Sequence, residues 1–151
     1  MRSFFKGFMT ISADILAEYQ AVRENCGFFF MEDWSLVSVA GNDTFTYLQT
    51  QTTNDLLPLQ VGQGQNSAIV DRKARLIATF SIHKTTENTA IILTENNQRE
   101  KLTEHLNTYL FREDVKPQQR QDAILALQGP KSALALQSLA NQILPEKLND
   151  T

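Results

Sequence analysis

The sequence predicts an α+β protein with antiparallel or mixed sheets and flanking helices, arranged in two subdomains. Segments whose apolar residues recur at helical spacing are mixed along the chain with short runs of β-forming residues. Two of these runs, residues 67–71 and 75–83, are joined by a tight turn, which indicates a hairpin and therefore antiparallel pairing. The apolar content of 42% over 151 residues is enough for a buried core.

The composition argues against several classes of protein. A net charge of -3 gives no overall basic field, so a nucleic-acid partner is not expected. The single cysteine, Cys26, excludes an intrachain disulfide framework and fits a reducing compartment. No apolar run approaches the roughly 20 residues that span a bilayer. We therefore expect a cytoplasmic protein without a membrane partner.

The chain opens with a predicted helix over residues 12–24, for which Ser12 is a suitable N-cap. Three phenylalanines follow at residues 28–30 and are expected in the core. Cys26, between the helix end and these phenylalanines, is interpreted as a small buried apolar residue rather than a reactive thiol.

A strand and a short helix come next. Residues 34–40 are rich in β-forming side chains and predict the strand, which Gly41 ends. Asn42 or Asp43 then caps a helix that stops at Thr50.

The hairpin has a clear two-residue period. Its first strand covers residues 67–71, its tip residues 72–74 and its second strand residues 75–83. One face of the second strand carries Leu76, Ala78, Phe80 and Ile82. On the opposite, polar face the only exception is Ile77.

A further strand and helix are predicted before a linker. Residues 89–94 predict the strand, and Asn96 or Asn97 caps a helix with Leu102 and Leu106 on its apolar side. Residues 116–122 contain Pro, Gln and charges but no large apolar side chain, which predicts an exposed crossing between subdomains.

The last predicted elements are a strand at residues 123–127 and a helix opened by Gly129 and Pro130. The side chains expected to be buried on this helix are Leu136, Leu139, Ala140 and Ile143.

Motifs for metal, nucleotide or hydrolase chemistry are absent from the sequence. Neither CxxC nor HxxxH spacing occurs, so no metal site is expected. His83 is interpreted as an ordinary strand-end residue and His105 as solvated. No catalytic residue is predicted from the sequence.

Two polar features remain. Residues 49–55 are rich in amides and hydroxyls, which indicates either an elaborate helix end or one wall of a polar ligand site. Arg72, Lys73 and Arg75 cluster at the hairpin tip, where they could bind carboxylates or phosphates or could simply be solvated.

These segments, taken together, resemble the first half of a folate-binding superfamily. Its branches are the aminomethyltransferase (T-protein) of the glycine cleavage system and the YgfZ-type folate-binding proteins that support iron–sulfur enzymes. The residues that carry the resemblance are Asp33, Trp34, Leu36, Val39, Gly41 and Asp43; Gln49, Gln51, Thr53 and Asp55; and Asp71, Lys73, Ala74 and Arg75. Ala74 stands where the family has glycine.

The resemblance implies a tetrahydrofolate or related reduced folate as ligand. It implies substrate-binding roles for Gln51 near the pterin, for Asn66 and Thr94 on the pocket wall, and for Arg75 toward a carboxylated ligand. It also implies a first subdomain of residues 1–55 plus 121–151 and an inserted second subdomain of residues 56–120. The K-G-C-Y-x-G-Q-E phrase of the YgfZ branch does not occur, so a fragment of a longer chain is expected.

One departure distinguishes the branches. The aminomethyltransferase has a working carboxylate on the strand after the hairpin tip, whereas the corresponding positions are Ile77 and Ala78, which cannot transfer a proton. This favours a YgfZ-like folate-binding protein that supports iron–sulfur enzyme assembly or repair, with iron–sulfur clients as partners. The alternatives are a tetrahydrofolate-dependent aminomethyltransferase or methyltransferase, and a non-catalytic interaction module. Whether the chain is an enzyme stays open, with the missing carboxylate arguing against it.

Overall fold

The computed structural model describes residues 13–143, and side chains within residues 14–139. These residues form α1 (Ala13–Glu24), β1 (Gly27–Phe30), β2 (Trp34–Ala40), α2 (Thr44–Gln51), β3 (Gly64–Val70), β4 (Leu76–Thr86), β5 (Thr89–Glu95), α3 (Asn96–Thr108), β6 (Lys116–Arg120), β7 (Leu125–Gln128) and α4 (Ser132–Ile143). The α+β fold class is confirmed. None of the described helices is long and apolar enough to cross a membrane.

The described residues divide into two units, each with its own sheet. Unit 1 contains residues 13–30 and 125–143, and unit 2 contains residues 31–124. The expected first subdomain includes residues 31–55 and 121–124, whereas the structure groups these residues with unit 2. The physical reason is pairing, since β2 is hydrogen-bonded along its length between β5 and β6.

Unit 2 is a five-stranded antiparallel sheet with the order β3-β4-β5-β2-β6. One face, called the core face, carries the alternate buried residues of the strands, such as Val37, Phe80 and Ile92. Leu102 and Leu106 of α3 are fully buried in the same cluster. The helix therefore covers the core face through the apolar stripe that the sequence predicted.

The segment predicted as a linker is instead strand β6. It pairs with β2 from Leu36↔Arg120 to Ala40↔Lys116. Pro117 is compatible with this position because β6 is an edge strand and needs ladder hydrogen bonds on one side only. Its polar side chains reflect edge exposure rather than a crossing between units.

A β-bulge in the hairpin accounts for the apolar residue that interrupts the polar face of β4. The register passes from Ile69↔Ala78 to Val70↔Leu76, which leaves Ile77 as the extra residue. Ile77 is half-buried and packs against the core cluster. Because of the bulge, the Ile77 side chain does not follow the alternation of buried and exposed residues along β4.

Unit 1 consists of α1, the antiparallel β1–β7 pair and α4. Gly129 adopts a φ of +132°, and a Cβ at this position would lie 2.5 Å from the Asn25 carbonyl oxygen. Lys131 fixes the same corner, because its backbone N–H donates to that oxygen and its Nζ to Asn25 Oδ1 at 2.9 and 2.7 Å. Glycine is required where these two segments meet.

The expected burial in unit 1 was wrong for several residues. Phe28, Phe29 and Phe30 are 70%, 49% and 61% exposed, and Leu136 and Leu139 are also exposed. Two strands of four residues offer little surface against which such side chains can be buried. The predicted cap Ser12 and the side chains of Ala140 and Ile143 lie outside the described residues.

Candidate functional site

A groove of about 500 Å³ lies across the strands of unit 2 and is called the strand groove. The cross-strand pairs Asn66↔Ser81 and Ala68↔Thr79 form part of its floor. The intervening residues Ser67 and Phe80 are buried, so alternation places Asn66, Ala68, Thr79 and Ser81 on the face opposite the core face. Ser67 and Phe80 also contribute to the lining, and the other lining residues are Trp34, Thr53, Asn54 and Glu95.

The polar stretch at residues 49–55 serves mainly to close the helix end. The Gln49 side-chain oxygen accepts a hydrogen bond from the Leu56 N–H at 2.6 Å, and Asp55 Oδ1 accepts one from the Leu57 N–H at 3.2 Å. Thr53 attaches the segment to β3, because its N–H donates to the Ala68 carbonyl oxygen and its Oγ1 accepts from the Ala68 N–H. Only Thr53 and Asn54 of this stretch line the strand groove.

The four residues expected at a ligand site do not lie together. Asn66 lines the strand groove, whereas Gln51 lies at the end of α2, where its Nε2 donates to Thr50 Oγ1 at 2.9 Å. Thr94 is fully buried on the core face, and its hydroxyl donates to the Thr79 carbonyl oxygen at 3.0 Å. Arg75 lines a different groove.

This second groove, called the helix groove, has a volume of about 560 Å³ and lies between the hairpin tip and α3. Asp71 organises the tip: its Oδ1 accepts from the backbone N–H groups of Lys73 and Arg75 at 2.8 and 2.9 Å. Its Oδ2 accepts from the Arg75 guanidinium at 2.7 Å. The backbone and side-chain hydrogen bonds from Arg75 lower the pKa of Asp71. The exposed Arg75 guanidinium is therefore paired with Asp71 within the tip.

Sequence reasoning missed the helix side of this groove. His105 is half-buried rather than solvated, and burial lowers its pKa. Its ring lies 4.7 Å from that of Tyr109, over which the Arg72 guanidinium stands at 5.9 Å. Lys101, His105 and Tyr109 recur every four residues, a spacing that places side chains on one helix face. That spacing was the available signal.

Trp34 and Glu95 line the strand groove, but sequence reasoning gave neither of them a role in ligand binding, although Trp34 was among the residues that carry the family resemblance. They stand at the first position of β2 and the last of β5, and the register pairs them directly. Trp34 begins one predicted strand and Glu95 directly follows another, but only the strand pairing shows that these two positions are adjacent.

Ile77 and Ala78, the two positions that the resemblance matches to a carboxylate of the transferase branch, have different environments. Ala78 is 1% exposed on the core face, opposite Ile69. Ile77 is the bulge residue and lines the helix groove. Neither side chain has a group that takes or gives a proton, and Ala78 does not line the strand groove. Among the described residues no cluster of ligating side chains could hold a metal ion.

Comparisons with known proteins agree on one family. The family model described as the GCVT N-terminal domain matches residues 2–148. An aminomethyltransferase of Exiguobacterium sibiricum is 29% identical over 139 residues, which cover 89% of this chain and 38% of that protein. The aminomethyltransferase of Deinococcus deserti is 31% identical over 123 residues, with 80% and 34% covered.

A solved structure has the same fold. The glycine cleavage system aminomethyltransferase T from Bartonella henselae aligns with a TM-score of 0.74 at 22% identity, covering 88% of this chain and 36% of that one. The chain spans less than two fifths of the length of these relatives. On the family match over nearly its whole length, the chain belongs to the GCVT N-terminal domain family.

Proposed function

We propose that this chain binds a reduced folate in the strand groove and takes part in tetrahydrofolate-dependent aminomethyl transfer. The observation that carries the proposal is the groove itself. Its volume of about 500 Å³ lies within the range of small-molecule sites, roughly 300–1,000 Å³. Its lining combines an indole, hydroxyls, amides and one carboxylate, which suits a flat heterocycle that carries N–H donors and carbonyl acceptors.

The proposed roles of the site residues follow from their positions. Asn66 is exposed in the groove and is assigned a direct contact with the ligand through its amide. Thr94 is assigned a supporting role, because its hydroxyl holds the Thr79 carbonyl from the core face. Gln51 and Arg75 are assigned local roles at the end of α2 and at the hairpin tip.

The reaction is supported by the relatives, whose printed names are aminomethyltransferase. A second candidate is a YgfZ-like protein that binds folate without transfer and supports iron–sulfur enzymes. The observation that favours it is the pair Ile77 and Ala78, which supply no base on the strand where the transferase branch has its carboxylate.

Binding is tested by calorimetric titration of the purified chain with 5-formyltetrahydrofolate. We expect saturable binding that Asn66→Ala weakens by about 3- to 10-fold, the equivalent of one neutral hydrogen bond. The matched control is Asn107→Ala, an exposed amide of α3 that lines neither groove and whose loss should leave affinity unchanged. Equal affinity in the Asn66 variant would contradict the site.

An assay of aminomethyl transfer distinguishes the two candidate functions. The chain is supplied with tetrahydrofolate and an aminomethyl group on a lipoyl-bound donor, and methylenetetrahydrofolate is measured. Formation above the uncatalysed rate supports the transferase. Folate binding without product supports the second candidate.

A further inference from the structure

The helix groove, between the tip of the β3–β4 hairpin and α3, is large enough to hold a small molecule of its own. Its volume of about 560 Å³ lies within the range of small-molecule sites, roughly 300–1,000 Å³. It shares no lining residue with the strand groove. A ligand of the helix groove is therefore separate from the folate that we propose for the strand groove.

Two contacts join the hairpin to α3, one near each end of the helix. Near its start, Gln98 Oε1 accepts a hydrogen bond from the Thr79 N–H at 2.7 Å. At its end, the Arg72 guanidinium lies 5.9 Å from the centroid of the Tyr109 ring. Because an α-helix rises 1.5 Å per residue, these contacts are about 16 Å apart along α3. The walls of the groove are thus held in place at both ends.

The inner wall of the helix groove is apolar and aromatic. Ile77, His105 and Tyr109 are half-buried there, and Leu76 is 63% exposed. The centroids of the His105 and Tyr109 rings are 4.7 Å apart, and the rings are tilted by 49°. Burial lowers the pKa of His105, so the imidazole is mainly neutral at pH 7 and adds little charge to this wall. Such a wall suits a flat apolar group.

The exposed lining residues of α3 include two opposite charges. Lys101 and Glu104 line the groove, and neither side chain has an ion pair or hydrogen bond within the part of the chain that the structure describes. Residues three apart on a helix are surface neighbours, with Cβ atoms roughly 5–6 Å apart. Asp71 and Arg75, the other charged lining residues, pair with each other. One available cation therefore stands beside one available anion.

We propose that the helix groove binds an aromatic α-amino acid as its zwitterion. Lys101 binds the carboxylate of this ligand, Glu104 accepts hydrogen bonds from its ammonium group, and its ring packs against the inner wall. An α-amino acid carries both charges on one carbon, which matches two charged side chains that are neighbours on a helix. A simple anion of the same size would be repelled by Glu104, and a simple cation by Lys101.

The test is a titration of the chain with L-phenylalanine, followed through the ¹H–¹⁵N signals of α3. We expect saturable shifts in residues 101–109. Two analogues keep the ring and remove one charge each: 3-phenylpropionate lacks the ammonium group, and phenethylamine lacks the carboxylate. Each analogue should bind about 3- to 10-fold more weakly than phenylalanine, a modest factor because the two side-chain charges are exposed to water. Absence of saturable shifts with phenylalanine would overturn the inference.

Two substitutions of similar size assign the charges. Lys101→Met should weaken phenylalanine binding about 3- to 10-fold and abolish the preference over phenethylamine, while the preference over 3-phenylpropionate remains. Glu104→Gln should abolish the preference over 3-phenylpropionate and keep the other. These opposite patterns distinguish recognition from a structural effect, which would weaken all three ligands alike. A wild-type pattern in either variant would overturn the inference.

Matched controls lie outside the groove. Lys116→Met removes an exposed cation of β6, and Glu100→Gln removes an exposed anion of α3. Both should leave the three affinities unchanged. A loss of phenylalanine binding in these controls equal to that in Lys101→Met and Glu104→Gln would show that net charge, rather than the groove, controls binding, and would overturn the inference.

Leu76→Ser tests the contact with the ring. Because Leu76 is largely exposed, its substitution should spare the fold, and loss of its apolar surface should weaken all three ligands by the same factor. Unchanged affinities would overturn the placement of the ring. Phenylalanine should also bind equally well with and without saturating 5-formyltetrahydrofolate. Competition between the two would overturn a separate site, whereas failure of the folate to bind would overturn the proposed function and leave the phenylalanine titration to stand by itself.

Discussion

The Asp71 carboxylate accepts hydrogen bonds from both the backbone and the guanidinium of Arg75, across the tip of the β3–β4 hairpin. The ion pair is part of a closed turn, since the Asp71 N–H donates to the Arg75 carbonyl oxygen at 2.9 Å. A cluster of cations in the sequence is therefore not a cluster of free charges. Arg75 is paired with Asp71, and Arg72 stands over Tyr109.

The same tip holds a residue in an unfavourable backbone conformation. Ala74 has a φ of +57°, in the left-handed region that costs a non-glycine residue roughly 1–2 kcal/mol. Ala74→Gly should therefore raise the free energy of unfolding, by about 0.5–1 kcal/mol after the greater chain entropy of glycine is subtracted. Urea denaturation measures the change.

Ala123→Gly is the matched control for that substitution. Ala123 is exposed in a loop and does not have a positive φ. Glycine at this position should leave the stability unchanged or lower it. A stabilisation of the same size at both positions would contradict the backbone explanation.

Gly41 is expected to be among the positions of unit 2 that tolerate substitution least. It has a φ of +144°, and a Cβ would lie 1.9 Å from the Asp114 carbonyl oxygen. Gly41→Ala should lower the free energy of unfolding by about 3 kcal/mol, because the backbone must shift and the residue is strained. The control is Gly62→Ala, since Gly62 has a φ of +85° but no atom within 4 Å of the added Cβ. Gly62→Ala should lower the free energy of unfolding by only about 1 kcal/mol. Equal losses in the two variants would exclude the steric clash as the cause.

The raised pKa of Tyr47 leads us to expect a lower free energy of unfolding at alkaline pH. Burial, with a smaller contribution from the charge of Glu113, raises the pKa of Tyr47 from 10.0 to about 12. Its hydroxyl donates to the Leu106 carbonyl oxygen at 2.5 Å. Because the folded state holds the proton more tightly, this contribution is full below pH 10 and is lost as the pH rises toward 12.

Tyr47→Phe isolates that effect. At neutral pH the variant should lose about 1–2 kcal/mol, because the buried Leu106 carbonyl no longer receives the tyrosine hydrogen bond. The stability difference between the two proteins should then narrow between pH 10 and pH 12. Urea titrations across this range measure it, and a constant difference would contradict the pKa assignment.

Sequence periodicity predicted the hairpin and the α3 stripe because both bury one face in a regular pattern. The exception at Ile77 was itself informative, since it coincides with the β-bulge. Strand β6 could not be recognised in this way. It is a polar edge strand whose pairing partner β2 lies some 80 residues away in the chain. Pairing between segments so far apart leaves no recognisable pattern in the local sequence.

The candidate site was less predictable than the fold. Of the two residues that the resemblance puts on a pocket wall, Asn66 lines the strand groove, whereas Thr94 faces the core because side chains alternate between the two faces along a strand. The adjacency of Trp34 and Glu95 depends on the β2–β5 register, which joins segments about 60 residues apart. The sequence shows which side chains could bind a ligand, but only the strand pairing shows which of them lie close together.

The successive residues Ala78 and Thr79 test the faces of β4. Ala78 is buried in the core cluster, whereas Thr79 is exposed in the strand groove. Ala78→Asp should therefore lower the free energy of unfolding by about 3 kcal/mol or more, because a carboxylate is moved out of water without a partner. Thr79→Asp should change it by no more than about 0.5 kcal/mol, as for most surface substitutions. Urea denaturation compares the two.

Thr79→Asp also tests whether a groove-face carboxylate can serve the reaction. It places an ionisable group one residue from Ala78, which the resemblance matches to the carboxylate of the transferase branch, and a general base contributes roughly 10²–10⁴-fold to a rate. We expect methylenetetrahydrofolate formation to rise at least tenfold in Thr79→Asp relative to Thr79→Asn, which matches it in size but carries no charge. Equal rates in these two variants would show that a carboxylate at this place on the strand does not reach the reacting amine, and a stable Ala78→Asp variant would contradict the assignment of that residue to the core face.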